Sequence, residues 1–299
     1  MFHRKHFRLR LNSRTLVLGE RTLIMGVLNV TPDSFSDGGS FLDSQAAIAR
    51  ALELEREGAD ILDIGGESTR PAAAPVSARE ELSRILPLFE ALRGKLRIPI
   101  SVDTQKSEVA EAALAAGAQI VNDISALRTD PHLAEVVRHA HAPVILMHMR
   151  GTPRTMQRGP FARDVVRDTM TGLREALVRA RRAGLEKSRI LLDPGIGFGK
   201  SHEQNFEILA RLPEFARLGC PIVIGTSRKA FLGKALAKPG EPPLPPNERI
   251  LGTLATVTAS ILGGTHIVRV HDVAETARVA RVTDAIVISA DTTRKRKPR

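Results

Sequence analysis

Residues 222–224 read Ile222-Val223-Ile224, and this unbroken β-branched run decides the fold class. A strand with one wet face alternates apolar and polar residues, so a run that is apolar at every position suits a parallel sheet covered on both faces. Comparable short runs recur at 23–28, 60–64, 98–102, 119–121, 144–147, 190–192 and 265–270, giving eight candidate strands. Longer segments of helical period lie between them, at 46–57, 78–92, 108–116, 164–183 and 249–262. Eight such cycles in 299 residues predict an α/β chain folded as a single (β/α)8 TIM barrel over 21–290. An open doubly wound sheet is the alternative. Residues 1–20 are expected to form a short N-terminal extension packed at the barrel base, and 291–299 a basic, disordered tail. The Pro-rich stretch 238–246 bars regular structure and reads as a surface excursion rather than a linker, because the helical pattern after it completes the eighth unit.

Charge and composition narrow the function classes. The net charge of +11 resides mostly at the ends: six basic residues against Glu20 in the first 22, five against Asp291 in the last nine. Solvated termini explain this better than a nucleic-acid surface, and with no Trp or Tyr the chain is poor in stacking platforms for single strands. No specific nucleic-acid or membrane partner is expected. The single cysteine, Cys220, allows no internal disulfide and implies a reducing compartment. The apolar N-terminal stretch is broken by Arg8, Arg10, Asn12 and Arg14, so neither a signal peptide nor a spanning helix is predicted, and a cytosolic location follows.

Barrel enzymes build their sites at the C-terminal ends of the strands, and nearly every run here ends in polar groups. The first breaks at Asn29 into a loop of hydroxyls, carboxylates and glycines reaching Gly39. The others end at Asp63, Asp103, Asn122-Asp123, Met147-His148, Asp193, Ser227-Arg228-Lys229 and Arg269 with His271. One such carboxylate is ordinarily a helix cap; a ring of them at one rim is a site. Arg269 and His271 are two apart and project to one face, beside the Ser227-Arg228-Lys229 loop, so a cationic pocket for a phosphorylated substrate or product is predicted where barrels commonly bind phosphate. Asp103, Asn122 and Asp193 suit the amino-pyrimidine edge of a pterin or purine; a carboxylate pair could instead do acid–base work. The run Asp193-Pro194-Gly195-Ile196-Gly197-Phe198-Gly199-Lys200 fails as a nucleotide loop. A phosphate-cradling pattern needs Gly at Pro194 and the dinucleotide pattern needs Gly at Lys200. Its glycines read as close packing around a ligand.

Taken in order, the segments NVTPDSFSDGG (29–39), DIGGESTRP (63–71), SVDT (101–104), NDI (122–124), MHM (147–149), DPGIGFGK (193–200), SRK (227–229) and RVHD (269–272) resemble the dihydropteroate synthase family over nearly the whole chain. The resemblance implies condensation of 7,8-dihydropterin (6-hydroxymethyl) pyrophosphate with para-aminobenzoate through a pterin methylene cation. It implies that Asp103, Asn122, Met147, Asp193, Phe198 and Lys229 bind the pterin, and that Asn29, Arg269 and His271 hold the pyrophosphate with Mg²⁺ beside Asn29. Phe35, Thr69, Pro71, Phe198 and Ser227 are implied around the aminobenzoate. The catalytic set carried over is Asp37, Thr69, Arg70, Lys229, Arg269 and His271. A homodimer and sulfonamide sensitivity are implied too. Ala230 departs from the Ser of some relatives after the Ser-Arg-Lys triplet, and a modest loss of aminobenzoate affinity is expected. A related methyltetrahydrofolate-dependent methyltransferase would share the pterin-edge residues but has no use for Thr69, Arg70, Arg269 and His271 together. A non-catalytic pterin barrel would not need both long loops. Lys200 is left without a physical account.

Overall fold

The computed structural model describes residues 4–30, 40–69, 73–159 and 161–295, with backbone alone for 40–44 and 291–295. Eight parallel strands are formed among these residues: β3 (Leu23–Asn29), β4 (Ile61–Gly65), β5 (Ile100–Asp103), β6 (Ile120–Asp123), β7 (Val144–Met147), β8 (Ile190–Asp193), β9 (Val223–Ile224) and β10 (Ile267–Val270). Their order is β8-β7-β6-β5-β4-β3-β10-β9, and a parallel bridge between Leu192 and Ile222 joins the ends of the sheet into a barrel. The strands are buried on both faces, as the unbroken apolar runs predict, and all eight predicted strands are present.

The connecting helices are α1 (Ser40–Glu57), α2 (Ala78–Leu92), α3 (Ser107–Ala116), α4 (Leu133–His139), α5 (Val165–Arg182), α6 (His202–Ala210), α7 (Ala230–Leu236), α8 (Ile250–Leu262) and α9 (Val273–Lys295). Local signals set their ends. Ser77 and Asp164 accept N3 amides at the starts of α2 and α5, and Ser201 with Gln204 forms a capping box on α6. Gly117, at φ +118°, ends α3 in the left-handed region. Helix α9 runs to Lys295, so the disordered tail expected from 291 is helical over its first five residues.

The N-terminal extension is more structured than composition implied. β1 (Phe7–Arg10) and β2 (Thr15–Leu18) pair antiparallel with Phe7 opposite Leu18. Leu9, Leu11 and Leu18 join one apolar cluster with Leu23, Met25, Ile61, Ile120, Ile145, Leu191, Val223 and Ile267, the lower interior of the barrel. The hairpin therefore closes the bottom. Arg4 fastens the chain ahead of it, donating to Asp284 in α9 at 2.5 Å and to Thr22. The Pro-rich 238–246 segment is exposed, and is held at its base where Leu244 bonds Gly233 and Arg249.

Candidate functional site

Alternation along the strands lifts the chemistry into the barrel mouth. Ile61, Ile120, Ile145, Leu191 and Ile267 belong to the lower interior cluster, so the residues two further on face the same interior one layer higher. Those residues are Asp63, Asn122, Met147, Asp193 and Arg269, with Asp103 completing the ring from β5.

Arg269 is the hub of this layer. Its Nε donates to Asp63 Oδ2 and its Nη2 to Asp103 Oδ2, each at 2.6 Å, while Asn122 Nδ2 donates to the same Asp63 oxygen at 3.1 Å. Asp63 Oδ1 is buried with no hydrogen-bond partner among the described residues. A buried carboxylate oxygen left unpaired costs on the order of 1–3 kcal/mol unless a ligand or water meets it. Burial pushes Asp103 up to about 7 despite the opposing charge of Arg269. Burial also works against the Arg269 cation, but Asp63 and Asp103 outweigh it and hold the guanidinium protonated.

The loop after β8 shapes the adjoining wall. Asp193 Oδ1 accepts the Gly195 amide at 2.6 Å; burial raises the Asp193 pKa, against the pull of that amide, Lys229, Lys200 and Arg269. Gly195 has φ +70°, and a Cβ there would lie 1.9 Å from the His148 carbonyl oxygen, so only glycine fits. Phe198 clusters with Ile124, Met147, Met149 and Met156, and Lys229 Nζ stands 4.2 Å from its ring centroid. Cation–π contact suits that geometry. Burial, followed by the Arg269 charge, lowers Lys229 to about 8.

The turn after β9 separates neighbouring basic groups. Arg228 adopts φ +58°, an unusual conformation for a long side chain, held by Thr253 on its amide and Arg249 on its carbonyl. Its guanidinium forks onto Asp272, while Lys229 turns to Phe198. His271 Nδ1 lies 3.0 Å from Ser227 Oγ, and burial, then Arg269, lowers its pKa to about 3, leaving the ring neutral at pH 7. The predicted cationic pocket thus differs in kind: Arg269 is shared by two carboxylates, Arg228 is paired elsewhere and His271 is uncharged.

Asp103, Asn122 and Arg269 meet in one network, His271 meets Ser227, and Phe198 meets Lys229 and Met147. Asp193 completes the rim from β8, Asn29 is half-buried at the end of β3, and Thr69 is half-buried after β4. Phe35, Asp37, Arg70 and Pro71 lie outside the described residues, as does most of the Gly-rich first loop. Asp63 joins the site without a role implied by the resemblance; its signal in the sequence is a carboxylate inside the apolar strand Ile61-Leu62-Asp63-Ile64 rather than after it. Among the described residues no group of three or more His, Cys, Asp or Glu could hold a metal ion.

The family model of pterin-binding enzymes matches residues 25–271. The dihydropteroate synthase of Synechocystis is 48% identical over 268 residues, spanning 90% of this chain and 91% of that protein. A structure of the Xanthomonas albilineans dihydropteroate synthase in complex with 7,8-dihydropteroate superimposes with a TM-score of 0.82 at 42% identity, covering 93% of this chain and 98% of that one. The Yersinia pestis enzyme with a sulfonamide drug gives 0.87 at 39% identity, covering 95% and 100%.

Proposed function

The chain belongs to the dihydropteroate synthase family of pterin-binding enzymes, and from that premise we propose how its mouth condenses dihydropterin pyrophosphate with para-aminobenzoate to give 7,8-dihydropteroate and pyrophosphate. The observation that carries the assignment of roles is the buried layer of Asp63, Asp103, Asn122 and Asp193 around Arg269. A flat heterocycle with adjacent N–H groups satisfies carboxylates of this kind, and the amide of Asn122 both donates and accepts. Asp103, Asn122 and Asp193 hold the pterin edge, and the unpaired Asp63 oxygen has a donor to receive. Met147 and Phe198 cover the ring faces, and Lys229 donates to the pterin from above Phe198.

The reaction is a substitution at the pterin methylene carbon. Its bond to the pyrophosphate oxygen breaks first, the electron pair leaving with oxygen; the aniline nitrogen then forms the new C–N bond and releases a proton. Arg269 faces the departing anion with the N–H groups its carboxylate pairs leave over, and neutral His271 and Asn29 add uncharged donors. Dipoles and charges fixed in advance lower the barrier because they need no reorganisation as charge develops. Phe35, Thr69, Pro71, Phe198 and Ser227 are assigned to the aminobenzoate, and Asp37 and Arg70 to the loops that enclose both substrates.

Mg²⁺ fits as an ion shared with the substrate. The donor offered is the hard amide oxygen of Asn29, and Mg²⁺ is commonly held by one or two protein oxygens plus phosphates. Asn29 would hold it, and the ion would neutralise charge on the pyrophosphate.

A homodimer through the helical side is proposed as well, supported by Leu251 of α8 and Val282 of α9, which are 71% and 65% exposed. A cytosolic location is proposed from the lone, buried Cys220 thiol. Sulfonamides are expected to compete with aminobenzoate. The deciding experiment incubates the purified protein with dihydropterin pyrophosphate, Mg²⁺ and para-aminobenzoate and detects dihydropteroate by chromatography. Aminobenzoate-dependent product supports the assignment, whereas pterin binding without condensation overturns it.

A further inference from the structure

We propose that Lys200 is a positioning residue for pterin binding, tying the Phe198 carbonyl to His148 and so fixing the two walls, Phe198 and Met147, that cover the pterin ring. The inference rests on the pterin assignment above and concerns a side chain that no step of the reaction uses.

Lys200 ends the loop after β8 and is 2% exposed. Its Nζ lies 3.0 Å from the Phe198 carbonyl oxygen, 3.1 Å from His148 Nδ1 and 3.4 Å from the His148 carbonyl oxygen. Three N–H groups thus face three uncharged acceptors, and among the described residues no carboxylate pairs with the ammonium. Buried ammonium groups without a paired carboxylate are costly, and a fold retains one where its hydrogen bonds do something an apolar side chain cannot. Burial lowers Lys200 to about 7, with Asp193 and Asp168 supporting its charge from a distance.

His148 is built to receive it. Burial, then the charges of Lys200, Arg128 and Arg150, hold its pKa down to about 2, so the ring is neutral and Nδ1 keeps its lone pair. The proton then sits on Nε2, which faces Asp168 at 3.7 Å. The ring is wedged against α5, where a Cβ on Gly172 would lie 2.5 Å from His148 Cδ2. The His148 amide donates to the Asp193 carbonyl at 2.8 Å. His148 is therefore a fixed post, flanked by Met147 and Met149, and Lys200 lashes the Phe198 backbone to it while Lys229 grips the ring of the same phenylalanine.

The test compares wild type with Lys200→Met, which keeps the length and removes the donors, and Lys200→Gln, whose uncharged amide can still donate. Lys200→Met is expected to raise KM for dihydropterin pyrophosphate about tenfold, the effect of losing a charged hydrogen bond, with a smaller rise of about two- to threefold in the aminobenzoate KM because Phe198 borders both pockets while Met147 borders only the pterin. Lys200→Gln is expected to recover part of the loss. A pterin KM unchanged in Lys200→Met, an aminobenzoate KM raised as much as or more than the pterin KM, or neither variant folding would overturn the proposal, the last by making Lys200 a core residue. Wild-type protein forming no dihydropteroate would instead overturn the assigned reaction, which the control identifies separately.

Discussion

The two ends of the barrel interior are built from the same strands and differ by a single step of two residues. Ile61, Ile120, Leu191 and Ile267 form the lower layer, sealed by Leu9, Leu11 and Leu18 of the hairpin. Asp63, Asn122, Asp193 and Arg269 stand immediately above them. Both layers are largely shielded from water, so burial does not distinguish them; what differs is whether the groups in each layer satisfy one another. The lower layer is complete, whereas the upper one leaves an Asp63 oxygen unpaired and drives Asp103, Lys229 and His271 away from their ordinary titration ranges. Stability is concentrated below and reactivity above, and perturbed groups gathered in one cleft mark the functional end.

The sharpest way to break that division is to alter one group in each layer. Lys229→Ala should lower kcat/KM for dihydropterin pyrophosphate by about a thousandfold, or about 4 kcal/mol of transition-state stabilisation, with the melting temperature shifted by no more than a few degrees. Steady-state kinetics beside calorimetry checks this, and near-normal turnover would remove Lys229 from the site. In the lower layer, Leu18→Ala should cost about 3 kcal/mol of unfolding free energy through the cavity it leaves. Its kcat/KM per folded molecule should stay within about twofold, as denaturant titration and active-site counting would establish. If Leu18→Ala reduced turnover without lowering stability, the two layers would not be separable.

The fold was legible because strand and helix periods are strong signals in a barrel. The predicted helix 78–92 coincides with α2, and the eight apolar runs are the eight barrel strands. The hairpin was read only as an extension because its arginines dominated, yet Phe7-Arg8-Leu9-Arg10-Leu11 alternates with period two, which is the signature of a half-buried strand. Short helices such as α4 and α7, seven residues each, offer too few turns for a period to show. The candidate site residues were legible as residue types at strand ends. Their partners were not: Arg269 lies 206 positions from Asp63 and 166 from Asp103, and nothing local in the chain announces those pairs. In the predicted cationic pocket, the carboxylates that pair with Arg228 and Arg269 are distant in sequence, whereas Lys229 meets the Phe198 ring instead.

The upper layer also sets a pH dependence that the lower one lacks. Asp103, raised to about 7 by burial, loses its carboxylate charge as pH falls through that value, and Lys229, lowered to about 8 chiefly by burial, loses its ammonium charge as pH rises through that one. If the pterin requires both charges, kcat/KM for dihydropterin pyrophosphate peaks between them and falls about tenfold per unit on either side. Asp103→Asn should lower the maximum and abolish the acid limb. A profile flat from about pH 6 to 9 would show that neither group titrates in the free enzyme.

The smallest effect belongs to a second arginine fork, at the lower end. Arg21 Nη1 and Nη2 reach Asp60 at 2.8 and 2.5 Å, a pairing as short as that of Arg269 with its carboxylates. The Arg21 side chain is 58% exposed, however, and Asp60 keeps a bond from the Ile24 amide when the arginine is gone. An exposed pair is screened by water and opposed by side-chain entropy, so Arg21→Ala should cost less than about 1 kcal/mol and leave kcat unchanged. Arg269→Ala leaves buried Asp103 without its ion-pair partner and buried Asp63 with only the Asn122 amide, and should behave quite differently in the same pair of assays. Equal costs for the two would mean that the geometry of an ion pair, rather than its place along the barrel axis, governs its contribution.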